Sequence, residues 1–258
     1  MRLKLSIQPI WLWILLLFNS CSAQEKLVFS DEFEGDELNM EYWSFALGNG
    51  CPEICGWGNN EPQIYTKNNH KIEDGQLVIR VNKEKNGHYT STRILTKDKF
   101  EFQYGRVEAR IKLPQGKGVW PAFWMLGSNI DEVGWPKCGE VDIMEYVGRE
   151  PGRIFSSLHT KSSHGNTINT YKTLVEGIED SFHVYAVDWT KNKMDFYLDG
   201  KKLYTYAPIE KNEENWPFDQ SFYMLLNVAV GGNFGGPAID DAIFPQEYLI
   251  DYIRVYEN

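Results

Sequence analysis

Beyond its first two dozen residues this chain has no long segment with apolar side chains at helical spacing. Short runs that alternate apolar and polar residues recur instead. This constrains the fold more than any other feature, because a helix without an apolar stripe has no face to pack, whereas period-two alternation suits a half-buried strand. Leu77, Ile79 and Val81 mark one such run, and Val107, Ala109 and Ile111 mark another. Residues 195–198 and 201–206 flank Asp199-Gly200, which predicts a hairpin closed by a primed turn. Phe222–Val230 is nearly continuous apolar sequence broken by Asn227, as expected of a strand buried on both faces. Residues 248–256 alternate again. Many strands with Gly and Asn between them predict an all-β chain of two packed antiparallel sheets.

The N-terminus carries a different signal. Arg2 and Lys4 precede a nine-residue apolar run at residues 10–18, too short to span a bilayer and suited to the core of an export signal. Two processing points compete. Phe18-Asn19-Ser20-Cys21 resembles a loose bacterial lipobox, which would make Cys21 a lipidated first residue and the only link to a membrane. Alternatively, a small-residue site ends at Ala23. The lipobox is preferred, since a cysteine there has no other evident use. Either way the expectation is export, extracellular or as an outer-membrane lipoprotein, with residues 24–258 forming one catalytic domain. No linker or repeat interrupts it, and the expected state is a monomer. Export permits a Cys51–Cys55 disulfide, although two reduced thiols fit the spacing nearly as well, and Cys138 is left without a partner.

A formal net charge of −10 argues against nucleic acid, which needs Lys and Arg in excess. Aromatics at 14% are abundant; strands favour them, and flat rings also stack on sugars.

The informative stretch is Gly139-Glu140-Val141-Asp142-Ile143-Met144-Glu145. Alternation puts Glu140 and Asp142 on one face, but an unbroken strand would turn Glu145 into the apolar layer, where an unpaired carboxylate is costly. A β-bulge at Ile143-Met144 would return Glu145 to the face of Glu140. Crowded carboxylates raise one another's pKa, so at least one holds a proton near neutrality. One ionised and one protonated carboxyl is what glycosidic bond cleavage requires. A solvated acidic face is the competing reading of the same residues.

The stretch resembles the Glu-x-Asp-x-(x)-Glu signature of glycoside hydrolase family 16 in its longer form. The resemblance extends through Gly56-Trp57-Gly58-Asn59-Asn60-Glu61, residues 104–114, residues 120–126, Gly134-Trp135-Pro136, Ser157-Leu158-His159-Thr160 and residues 226–232, in the family's order. It is nearest to bacterial laminarinase-like members. It implies a concanavalin-like jelly-roll sandwich with a cleft across one sheet, a β-1,3-glucan substrate and endo-acting, retaining hydrolysis. Mixed-linkage glucan and marine galactan are the alternative substrates, and a carbohydrate-binding lectin is the alternative class. The resemblance further implies Glu140 as nucleophile, Glu145 as acid and base, Asp142 as their tuning group, and His159 nearby. Trp120, Trp124 and Trp135 match sugar-stacking aromatics, although for each alone core packing is the simpler reading. Asn60 and Arg93 match polar positions on the non-reducing side. For Asn227 a buried hydrogen-bonding role weighs at least as much as sugar contact. No catalytic cofactor is implied. A structural calcium on Glu34, the Gly75 carbonyl and Asp251 is.

Overall fold

The alternating runs form two stacked sheets with an apolar layer between them. The computed structural model describes residues 26–257, so the export segment with Cys21 and Ala23 lies outside the described residues. Among the described residues no helix exceeds four residues.

The first sheet has seven strands in the order Thr170–Leu174, Arg153–His159, Glu140–Tyr146, Val119–Gly127, Phe222–Val230, Arg93–Leu95 and Ser44–Phe45. The second has ten. Its path runs Lys201–Tyr206, Met194–Leu198, His183–Trp189, Gly105–Lys112, Gln246–Glu257, Gln76–Lys83, Tyr89–Ser91 and Ile64–Tyr65. Lys26–Asp31 and His70–Glu73 pair beside it. All ladders are antiparallel except one, which departs from the sequence expectation. Ile64–Tyr65 runs parallel to Tyr89–Ser91, a two-residue pairing too short to carry any periodic signal.

Gly105–Lys112 alternates buried and half-buried residues along its length. Phe222–Val230 is buried at all nine positions because it is central in its sheet and covered on both sides. In the hairpin turn Asp199 and Gly200 both have positive φ, 49° and 75°, as a primed turn demands. The main core gathers Leu77, Ile79, Val107, Val187, Phe123, Met125, Val141 and Leu226 between the sheets. Each such side chain contributes about 1.5–3 kcal/mol on burial.

Cys51 and Cys55 are disulfide-bonded, resolving the open alternative. Cys138 is free and packs with Leu126, Tyr223 and Leu225 in a second, small apolar cluster under Trp124. Burial pushes its thiol up to about 12, so it stays a protonated packing group.

Glu34, Gly75 and Asp251 lie on or beside the ten-stranded sheet. One of the three calcium candidates, Asp251, is paired with a basic side chain. Asp251 sits where the register slips between Ile250 and Tyr252, and its Oδ2 accepts from Arg110 Nη1 at 2.6 Å. A cation on that oxygen would have to displace a guanidinium. The side chain counted on as a hard-ion ligand is already neutralised.

Candidate active site

The strand Glu140–Tyr146 is flanked by Val119–Gly127 and Arg153–His159, and register determines which side chains share its outer face. Glu140 stands opposite Leu126 and His159, and Asp142 opposite Trp124 and Ser157. The pairing then slips. Against one neighbour the shift falls between Asp142 and Met144, and against the other between Asp142 and Glu145. After it, Glu145 stands opposite Ala122 and Phe155. Ile143 and Met144 both bury in the core between the sheets, so two successive side chains point inward and the phase reverses. This is the bulge expected from the motif, and it brings the three carboxylates to one face.

Trp120, Ala122 and Trp124 occupy the same face of the adjacent strand. The even spacing of the two tryptophans thus places both beside the acids, in half-buried positions rather than in the core. Trp120 Nε1 donates to Glu145 Oε1 at 2.9 Å, and Trp135 Nε1 donates to Glu140 Oε2 at 2.6 Å. Trp135 is 46% exposed and stands edge-on to His164. An indole N–H only donates, so each glutamate has one oxygen fixed as an acceptor and the other turned away.

Asp142 is 3% exposed and Glu145 8%. Burial first, then the neighbouring Asp142 charge, pushes Glu140 up to about 8, against the opposing effects of His159 and the Trp135 N–H. The same two causes raise Glu145 well above the usual carboxylate range. Three buried carboxyls therefore share fewer than three charges.

His159 Nε2 lies 3.0 Å from Asp142 Oδ2 and 3.9 Å from Glu140 Oε1. The contact with Asp142 is close but poorly aligned, so that Oδ2 has no well-formed hydrogen bond. Burial disfavours the charged ring, but the surrounding carboxylates outweigh it and carry its pKa to about 10. The second proton must sit on Nδ1, which accepts the Gly165 N–H at 3.1 Å. Charging the ring therefore requires that contact to break. The same hydrogen bond assigns the neutral ring's proton to Nε2, facing the acids. Glu140, Asp142 and His159 thus form one close cluster of acids and a facing donor.

On the other side of Trp124, Asn227 pairs with Ala122 and with Arg93, continuing the outer face across two more strands. The Arg93 guanidinium lies between Trp57 and Trp124, 4.8 and 4.7 Å from the ring centroids, and its buried Nε has no protein acceptor. Asn227 is buried and hydrogen-bonded, accepting from Trp124 Nε1 at 2.8 Å. Asn60 is exposed and donates to Asn233 Oδ1 at 2.8 Å, joining the loop before Glu61 to the turn after Val230. Every sequence-predicted site residue except the three calcium candidates is therefore tied to the outer face of the seven-stranded sheet or to the loops beside it.

Several neighbours went unassigned. Glu61, Gln63 and Tyr65 form a buried polar row, and their even spacing was the available signal. Trp57 covers Arg93, and Phe234 meets Trp120 and Phe155 edge-on at 5.5 and 5.0 Å. Neither ring had any periodic mark in its loop.

The model for glycosyl hydrolases family 16 matches residues 58–254. A β-glucanase from Rhodothermus marinus is 37% identical over 248 residues, covering 90% of this chain and 85% of that protein. Among solved structures, a laminarinase from Flavobacterium sp. UMI-01 superposes with a TM-score of 0.88 at 62% identity, covering 90% of this chain and all of the other. The laminarinase catalytic domain from Thermotoga maritima MSB8 gives 0.86 at 41% identity, covering 91% of this chain and 98% of the other.

Proposed function

Since the chain belongs to glycosyl hydrolases family 16, we propose that it is a glycoside hydrolase cleaving internal β-1,3-glucosidic bonds of laminarin-type glucans, with retention at the anomeric carbon. The observation that carries this reading is the bulged strand, which brings Glu140, Asp142 and Glu145 to one face, each glutamate held by its own tryptophan. Relatives that carry the same fold and are named β-glucanase or laminarinase support the substrate class.

In the first step Glu140, in its ionised form, attacks the anomeric carbon through a carboxylate oxygen and the bond to the leaving oxygen breaks. The proton of Glu145 passes to that oxygen. Because Oε1 of Glu145 faces Trp120, the proton is delivered from Oε2. A water then gives its proton to Glu145 and attacks the glycosyl–Glu140 ester, freeing the sugar. Asp142 and the Nε2–H of His159 flank Glu140 and hold its orientation. The raised proton affinity of Glu145 keeps the acid loaded. Trp124, half-buried on the outer face and backed by the Arg93 guanidinium, offers its ring to the sugars bound beyond the cleaved bond. Export is part of the proposal, supported by the basic and apolar residues at the N-terminus. An external location suits a polymer too large to enter a cell.

The test is reducing-sugar release from laminarin, curdlan, barley mixed-linkage glucan, lichenan, agarose and carrageenan, with products sized. Short oligosaccharides from laminarin are expected. Activity on a galactan alone would overturn the substrate, and binding without turnover on every polymer would overturn catalysis.

A further inference from the structure

One buried chain of hydrogen bonds runs behind the wall formed by Trp124 and Arg93, and its direction is forced. The Trp124 Nε1–H can only donate, so Asn227 Oδ1 accepts it at 2.8 Å and the Asn227 amide group must donate. It donates to the Tyr65 hydroxyl at 3.0 Å, which leaves the Tyr65 proton to point onward to Glu61 Oε2 at 3.3 Å. From the other end the Val230 backbone N–H donates to Gln63 Oε1 at 2.9 Å. The Gln63 amide therefore also donates, again to Glu61 Oε2, at 2.6 Å. Asn59 Nδ2 reaches Glu61 Oε1 at 3.2 Å. Two donor-only groups thus anchor the ends, and both arms converge on Glu61 as terminal acceptor. Neither Asn227 nor Gln63 can turn over its amide without setting two donors face to face. Glu61 is 7% exposed, and burial raises its pKa above the usual carboxylate range, opposed by the nearby Arg93 charge and by the donors from Gln63, Asn59 and Tyr65.

We infer that Glu61 is a positioning residue for substrate binding: its carboxylate is the common acceptor that fixes the Trp124 ring through Tyr65 and Asn227 and balances the Arg93 charge, so that the ring meets the glucan in one arrangement. The inference rests on the reading that Trp124 contacts sugar. An amide at position 61 has the same shape but presents an NH2 group to donors on one side, and the chain must then rewire. Glu61 touches no reacting atom, so its loss acts on binding rather than on bond cleavage.

The experiment measures kcat, KM and Tm on laminarin and on a ladder of β-1,3-oligosaccharides for Glu61→Gln, Tyr65→Phe, their combination and Trp124→Ala. Each single change in the chain is expected to raise KM by about tenfold, with kcat held within about threefold. The combination is expected to do no more than either alone, because both break one path. A lower Tm with native KM, an equal fall in kcat at native KM, or additive losses in the combination would overturn the positioning role. Trp124→Ala separates the two levels. If it raises KM while Glu61→Gln does not, the positioning role alone is wrong. If Trp124→Ala leaves KM unchanged, the assignment of this wall to substrate fails first. Should Glu61→Gln fold poorly, Tyr65→Phe carries the same test without touching a charge.

Discussion

Replacing Glu140 by Gln should abolish turnover and yet stabilise the protein, increasingly so as pH rises. In an unfolded chain this carboxyl releases its proton near 4.5, whereas in the folded protein burial and Asp142 hold the proton until about 8. Where the folded state binds the proton more tightly, raising the pH favours the unfolded state. The contribution is fully present below 4.5 and is lost as pH climbs toward 8. Each pH unit corresponds to about 1.4 kcal/mol, so the 2.5 units from 4.5 to 7 amount to roughly 3 kcal/mol. The side chain is 17% exposed, so little of this is screened by water. Gln has no proton to release, and its Oε1 can still accept from Trp135. The stability gap between variant and native protein should therefore widen by roughly 3 kcal/mol between pH 4.5 and 7, equivalent to about 6–12 °C in Tm. Urea unfolding of both proteins at several pH values in this range measures it. A gap that stays constant, or narrows with rising pH, would refute the claim that the site holds Glu140 in an energetically unfavourable setting.

Other expectations are more local. Glu145→Gln should lower kcat by roughly 10²–10⁴-fold while oligosaccharide binding, read by calorimetry, persists. Trp135→Phe removes the N–H that favours ionised Glu140, so the acid limb of kcat/KM should move up by about one pH unit; an unmoved limb would detach that indole from the acid's titration. Phe123→Ala should cost about 3–5 kcal/mol in urea unfolding, since the ring is fully buried between the sheets, and it should leave KM near native in the folded fraction.

Much of this was legible from spacing. The alternation of Val107, Ala109 and Ile111, the turn at Asp199-Gly200 and the buried run Phe222–Val230 each depend on residues close in sequence, and period-two patterning records such relations directly. The bulge was legible for the same reason, as a carboxylate standing one position out of phase. What escaped notice depends on long-range contact. Tyr65 meets Asn227 across 162 positions, and the Glu61 chain exists only because two distant strands bring its ends together. His159 was foreseen beside the acids, but the Gly165 N–H that sets its tautomer belongs to a loop without periodicity. The calcium expectation followed resemblance alone and had no means of registering the Arg110 guanidinium that occupies Asp251.

The slip at Ile143 and Met144 also governs how this strand can change over generations. Side chains there can drift among apolar types of similar volume, because the core asks only that two neighbours point inward. Length is coupled to the bulge. Losing a single residue between Asp142 and Glu145 while the bulge stayed would bury Glu145 and expose Tyr146, so the bulge must vanish with the residue, leaving strict alternation that keeps the acids on one face. The reach between the group that attacks and the group that protonates is written in main-chain count, so a lineage could retune it only by a jump of whole residues with the neighbouring strands re-registered at the same time.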